Sequence, residues 1–166
     1  MTLSVTVLRQ SWEEMIEDYE EGAFVPKSER DIQCYLYHLC IKNGLAAKII
    51  HADERYGVRG EHRSYTDLVI GIRPDTRLYV EIKWARVTGD AVISRKKINS
   101  ILKDIQKSGE KESKRRRYLL VMLYKKKGGP PLLRSDLNKR PKSVLRQLEE
   151  ELRTEGVKVM FSAIEH

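Results

Sequence analysis

The chain is poor in cysteine, has no long apolar run, and shows no grouping of histidines with cysteines. Its two cysteines, Cys34 and Cys40, lie six residues apart in a segment of helical periodicity. That spacing turns them about 120° from each other around a helix axis. They are not expected to bridge, and no CxxC pair is present. Two buried free thiols are expected, which fits a reducing compartment. Without a Cys/His grouping, a zinc site is not expected. No stretch approaches the roughly 18 consecutive apolar residues of a spanning helix, so no membrane partner is expected. The opening MTLSVTVLRQSWEEM has no basic region followed by an apolar run. It is not read as a signal peptide, and the expected location is the cytoplasm. No internal repeat and no second-domain boundary are visible.

What is present fits one α/β domain over residues 1–166. Apolar residues make up 40% and charged residues 34%, too apolar for a disordered chain and too charged for a membrane protein. The net charge is +8 and it is uneven. Residues 1–83 carry 11 Lys/Arg against 14 Asp/Glu, a net of −3. Residues 84–166 carry 21 against 10, a net of +11. A basic half is the electrostatic footprint of a polyanion binder, although many basic faces are only solvated.

Periodicity divides the chain into an N-terminal helical extension (about 1–25), a core (about 26–125) and a C-terminal helix–strand unit (about 139–166). Ser4–Leu8 alternates like a short strand. Ser11 with Glu14 fits a capping box, Trp12, Met15, Ile16 and Tyr19 form one apolar face, and Gly22 fits a stop. Ser28 is a good N-cap for a second helix with Ile32, Leu36, Leu39 and Cys40 on one face, ending at Asn43–Gly44. Ala46–His51 reads as a strand and 52–63 as a loop or irregular hairpin. Tyr65–Ile72 and Arg77–Trp84 read as a β-hairpin joined by Arg73–Thr76. Ala91–Ser108 reads as a helix, Tyr118–Tyr124 as a strand covered on both faces, Ser143–Glu155 as a helix and Val157–Phe161 as a strand. A helix between two strands favours parallel pairing across the crossover. The expected fold is a mixed sheet with helices on both faces.

Strand alternation then isolates a constellation. On the 77–84 strand, Leu78, Val80, Ile82 and Trp84 share one face, and Tyr79, Glu81 and Lys83 share the other. On the preceding strand, Asp67 falls on the face opposite to Leu68 and Ile70. Folding the hairpin brings Asp67 towards Glu81 and Lys83. Two carboxylates on one sheet face make a hard oxygen site for Mg²⁺ or Mn²⁺. The same charges also suit a half-solvated strand carrying a surface ion pair.

SYTDLVIG followed by LYVEIKW resembles the signature of the PD-(D/E)XK (restriction-endonuclease-like) nuclease superfamily. The expected αβββαβ order from Ser28 to Tyr124 is similar to that core. The resemblance maps the metal-binding Asp onto Asp67, the second carboxylate onto Glu81 and the lysine onto Lys83. Thr66 stands where the motif name has proline. An acid on the first core helix would be Glu29, with Asp31 as its rival, although first-turn acids also serve the cap and the helix dipole.

The resemblance implies Mg²⁺-dependent (or Mn²⁺-dependent) hydrolysis of DNA phosphodiesters, leaving 5′-phosphate and 3′-hydroxyl ends. Asp67, Glu81 and the main-chain carbonyl of Ile82 would hold the metal. Lys83 would orient or deprotonate the attacking water, or stabilise charge on the phosphate. A lysine beside a cation is expected to have a depressed pKa. Arg59, Arg63, Arg95, Lys96, Lys97, Lys114, Arg115, Arg116 and Arg117 are the candidate DNA-binding residues. Duplex, branched and single-stranded DNA all fit, since nothing resembles a helix-turn-helix or zinc finger. A homodimer is expected by analogy with nucleases that cut both strands. Two other readings stand beside this one: a catalytically weak nucleic-acid-binding module, and a partner-dependent subunit of a larger DNA-processing complex.

Overall fold

The computed structural model describes residues 3–56, 64–73, 77–88, 92–93, 116–124 and 156–161, with residues 96, 99–100, 103, 150 and 152–153 between them. Two helices, α1 (Leu3–Glu20) and α2 (Glu29–Lys42), precede the strands β1 (Ile50–Tyr56), β2 (Ser64–Ile70), β3 (Leu78–Thr88), β4 (Val92–Ile93), β5 (Arg116–Tyr124) and β6 (Val157–Phe161). Five strands make a mixed sheet in the order β1-β2-β3-β5-β6, and β4 pairs with the far end of β3. β1, β2 and β3 are successively antiparallel. β3, β5 and β6 are parallel, as crossover connections require.

The expected strand at Ser4–Leu8 is helical instead. Its alternation masked a longer period: Val5, Leu8, Trp12, Met15, Ile16 and Tyr19 follow helical spacing and are all buried. Ser11 is therefore no cap. It is buried inside α1, and its Oγ accepts from Asn43 Nδ2 at 3.1 Å. Asn43 also donates to Glu14 at 2.8 Å, and Lys42 pairs with Glu14, so the end of α2 is tied to the middle of α1.

The α2 expectations hold. Ser28 accepts from the Asp31 N–H at 3.2 Å, and Ile32, Leu36, Leu39 and Cys40 are buried. Gly44 ends the helix at a φ of 105°, a backbone conformation that side chains with a Cβ rarely adopt. Both cysteines are free, but Cys34 is exposed rather than buried. Burial pushes the Cys40 thiol up to about 11.

The first strand starts later than expected. Ala47–Ile49 is a 3-10 turn, and β1 continues to Tyr56 to pair with β2 as a hairpin. Val92–Ile93, expected in a helix, pairs with Val87 and Thr88. Residues 96, 99–100 and 103 further along that stretch are helical. So are residues 150 and 152–153 of the expected Ser143–Glu155 helix, whose remaining positions lie outside the described residues.

α1 and α2 share one hydrophobic cluster with Leu68, Ile70, Leu78, Val80, Ile82, Leu120, Met122 and Met160. The alternate positions Val69, Leu119, Val121, Leu123 and Val159 are buried too. The central sheet is thus buried on both faces, as the continuous apolar run of β5 requires. Each fully buried Leu, Ile or Met contributes about 1.5–3 kcal/mol. The result is a rigid floor, and the polar side chains of β2 and β3 interrupt it at one level.

Candidate functional site

On β3, Leu78, Val80 and Ile82 are buried, while Tyr79, Glu81 and Lys83 on the other face are half-buried. The β2–β3 register runs Ile70↔Leu78, Val69↔Tyr79, Leu68↔Val80. One further step sets Asp67 level with Glu81. The hairpin therefore brings together the residues that the strand pattern singled out.

At this level β3 bonds to carboxylates. A strand residue presents its N–H and C=O to the same side, and successive residues alternate sides. Residues 78, 80, 82 and 84 of β3 face β2. Beyond Val80, Asp67 Oδ2 accepts the Ile82 N–H at 2.6 Å. Glu29 Oε1, from the first turn of α2, accepts the Trp84 N–H at 3.0 Å. One helical turn on, Gln33 Nε2 donates to the main-chain carbonyl of Asp67 at 2.5 Å. Glu29 and Gln33 are four residues apart and share a helix face, so α2 spans the join between the strands, holding β3 through one side chain and β2 through the other.

Lys83 lies at the centre of the charge. Its Nζ contacts Glu81 Oε1 at 2.7 Å, and the lysine side chain is only 12% exposed. Burial alone would lower the Lys83 pKa. The adjoining Glu81 carboxylate, followed by Glu29 and Asp67, outweighs it and holds the ammonium above the ordinary lysine value. Three acids from three elements thus act on one half-buried cation.

The two rival acids of the first helix have different partners. Asp31 accepts the Lys27 N–H at 2.8 Å, and that bond lowers its pKa. Asp31 therefore caps the helix, while Glu29 reaches the site. Gln33 escaped the sequence reading, because a glutamine on an apolar helix face carries no motif; its burial is the only signal.

Of the candidate DNA-binding residues, Lys96 is exposed on a helical position and Arg117 is half-buried at the start of β5, opposite Tyr79. Arg116 belongs to β5 as well. Arg59, Arg63, Arg95, Lys97, Lys114 and Arg115 lie outside the described residues.

No protein-family model, curated protein or solved structure matches the chain. Among the described residues, no helix is long and apolar enough to cross a membrane, and no three His, Cys, Asp or Glu side chains form a ready metal-ligand group. The donor chemistry nonetheless suits a hard cation. Asp67 and Glu81 supply carboxylate oxygens at one level, and the carbonyl of Ile82 lies on the same strand edge as the N–H that Asp67 binds.

Proposed function

We propose that the chain is a metal-dependent deoxyribonuclease of the PD-(D/E)XK type, with Asp67, Glu81, Lys83 and Glu29 as its reactive group. One observation carries this reading: Asp67 from β2 and Glu29 from α2 accept the β3 main-chain N–H groups on either side of Lys83, and the half-buried Lys83 ammonium contacts Glu81. A surface ion pair would need none of that scaffolding.

Asp67 and Glu81, with the Ile82 carbonyl, would hold Mg²⁺ or Mn²⁺. Such a cation supplies a bound water of lowered pKa and polarises a phosphoryl oxygen. Without a cation the three acids favour the Lys83 ammonium; beside bound Mg²⁺ the lysine would orient the attacking water or stabilise negative charge developing on the phosphate. Glu29 holds the backbone of β3 just beyond Lys83 and fixes where that ammonium stands. The excess of basic residues after Lys83 supplies the field that draws in the DNA backbone.

The test is cleavage of labelled duplex, branched and single-stranded DNA with Mg²⁺ or Mn²⁺, beside EDTA and Lys83→Ala. Metal-dependent cutting that disappears in the variant supports the reading. DNA binding without any cutting supports a second one, a catalytically silent binding module or a partner-dependent subunit. The Lys83–Glu81 contact favours that alternative, because it neutralises the second carboxylate within the chain itself.

A further inference from the structure

Gln33 is 4% exposed and sits on the α2 face that meets the sheet. Both ends of its amide are engaged. Nε2 donates to the Asp67 carbonyl at 2.5 Å, and Oε1 accepts from Arg30 Nη1 at 2.8 Å. A buried primary amide is costly unless it is bonded, so its presence among Ile32, Leu36 and Leu39 needs a reason. The Asp67 main chain supplies one. The carbonyl that Gln33 grips belongs to the residue whose carboxylate holds the Ile82 N–H at 2.6 Å. The chain Arg30–Gln33–Asp67–Ile82 thus runs from an exposed helical side chain to the strand edge beside Lys83.

We infer that Gln33 is a positioning residue, which fixes the Asp67 carboxylate for a divalent cation by holding the Asp67 carbonyl, with Arg30 orienting its amide. This rests on the proposed metal site. Only a side chain with a donor at one end and an acceptor at the other can do this. Glutamate would set oxygen against the carbonyl oxygen, and methionine would fill the space without bonding.

Two readouts test it, neither of them cleavage. The first is amide hydrogen exchange of Ile82 in the protein without added metal. Gln33→Met should speed that exchange about tenfold or more, because the Asp67 carboxylate loses its fixed position. The amides of Glu81 and Lys83, which face β5, should keep their protection. The second is calorimetric titration with Mg²⁺. Loss of a group that orients a ligand weakens metal binding by about 10–100-fold. Arg30→Ala, at an exposed position, should shift both readouts the same way by less, and it guards against a misfolded Gln33 variant. Asn43→Ala loosens the other end of α2 and should lower the melting temperature without moving either readout.

Unchanged Ile82 exchange and unchanged Mg²⁺ affinity in Gln33→Met, with binding lost in Asp67→Asn, would overturn the positioning role and leave the proposed function standing. If the wild type binds no Mg²⁺, the proposed metal site falls, and a role for Gln33 towards a cation falls with it. The Ile82 amide then reports only whether Gln33 fixes the Asp67 side chain.

Discussion

The Asp67 carboxylate accepts the Ile82 main-chain N–H at 2.6 Å. On a continuing ladder that N–H would belong to the carbonyl of Thr66, two residues beyond the Leu68↔Val80 pair. The side chain thus replaces a rung of the sheet and places a negative charge at its edge. Asp67→Asn keeps an oxygen for the Ile82 N–H and removes only the charge. The folded state should therefore survive with a melting temperature near that of the wild type. Mg²⁺ affinity and cleavage should each fall by about 100-fold or more. Calorimetric titration beside a cleavage assay decides it. A variant that binds Mg²⁺ as well as the wild type would remove Asp67 from the metal site.

Lys83 gives a prediction in pH. Its folded pKa lies above the ordinary lysine value of 10.5. The stability conferred by its acidic surroundings is therefore complete below that ordinary value, and it is lost as pH climbs through the raised one. The stability gap between wild type and Lys83→Met should stay level between roughly pH 6 and pH 9 and shrink only in stronger alkali. Denaturant melts across that range measure it. A gap that closes near neutrality would mean that Lys83 titrates there, and that it acts as a base rather than as a fixed cation. Lys83→Ala should also abolish cleavage while leaving DNA affinity nearly unchanged.

Much of this was legible in the sequence, for reasons particular to each element. The two-residue period of β3 separated Leu78, Val80 and Ile82 from Glu81 and Lys83 correctly, because a strand leaves no other choice of face. The same cue failed at Ser4–Leu8, where five residues fit two periods and only the apolar positions through Tyr19 decide between them. Glu29 shares the helix face of Ile32 and Leu36, which favours it over Asp31, but as first-turn acids both also suit the cap and the dipole. Tertiary contact separated them, since only Glu29 meets β3. Gln33 was invisible because its meaning lies in a carbonyl 34 residues away. Val92–Ile93 fitted a helical face in one dimension, but β3 outruns its sheet neighbours and takes these residues as a partner.

The charge asymmetry predicts how binding responds to salt. Lys114, Arg115, Arg116 and Arg117 stand at the entry to β5 in sequence. If they contact the DNA backbone, each lost contact should lower the slope of log affinity against log salt by about 0.9. Replacing all four with glutamine should weaken binding for every DNA sequence alike and flatten the slope by about 3–4. Fluorescence anisotropy at several salt concentrations reads both quantities. Unchanged affinity and slope would make the cluster a solvated face.

Glu29 separates a structural role from an electrostatic one by the choice of substitution. Its Oε1 satisfies the Trp84 N–H across 55 residues of sequence, and its charge acts on Lys83. Glu29→Gln keeps an acceptor and loses the charge. Glu29→Ala loses both and leaves a half-buried N–H without its side-chain partner, at a cost of about 1–3 kcal/mol. Thermal melts should therefore place Glu29→Gln close to wild type and Glu29→Ala clearly below it. Cleavage should fall in both by a similar factor, about 10–100-fold, if the charge is what matters. If Glu29→Gln cuts as fast as wild type while Glu29→Ala is slow, the residue is a clamp on β3 and its charge is incidental. Full activity in both would leave Asp67, Glu81 and Lys83 as the whole reactive group, with α2 no more than their support.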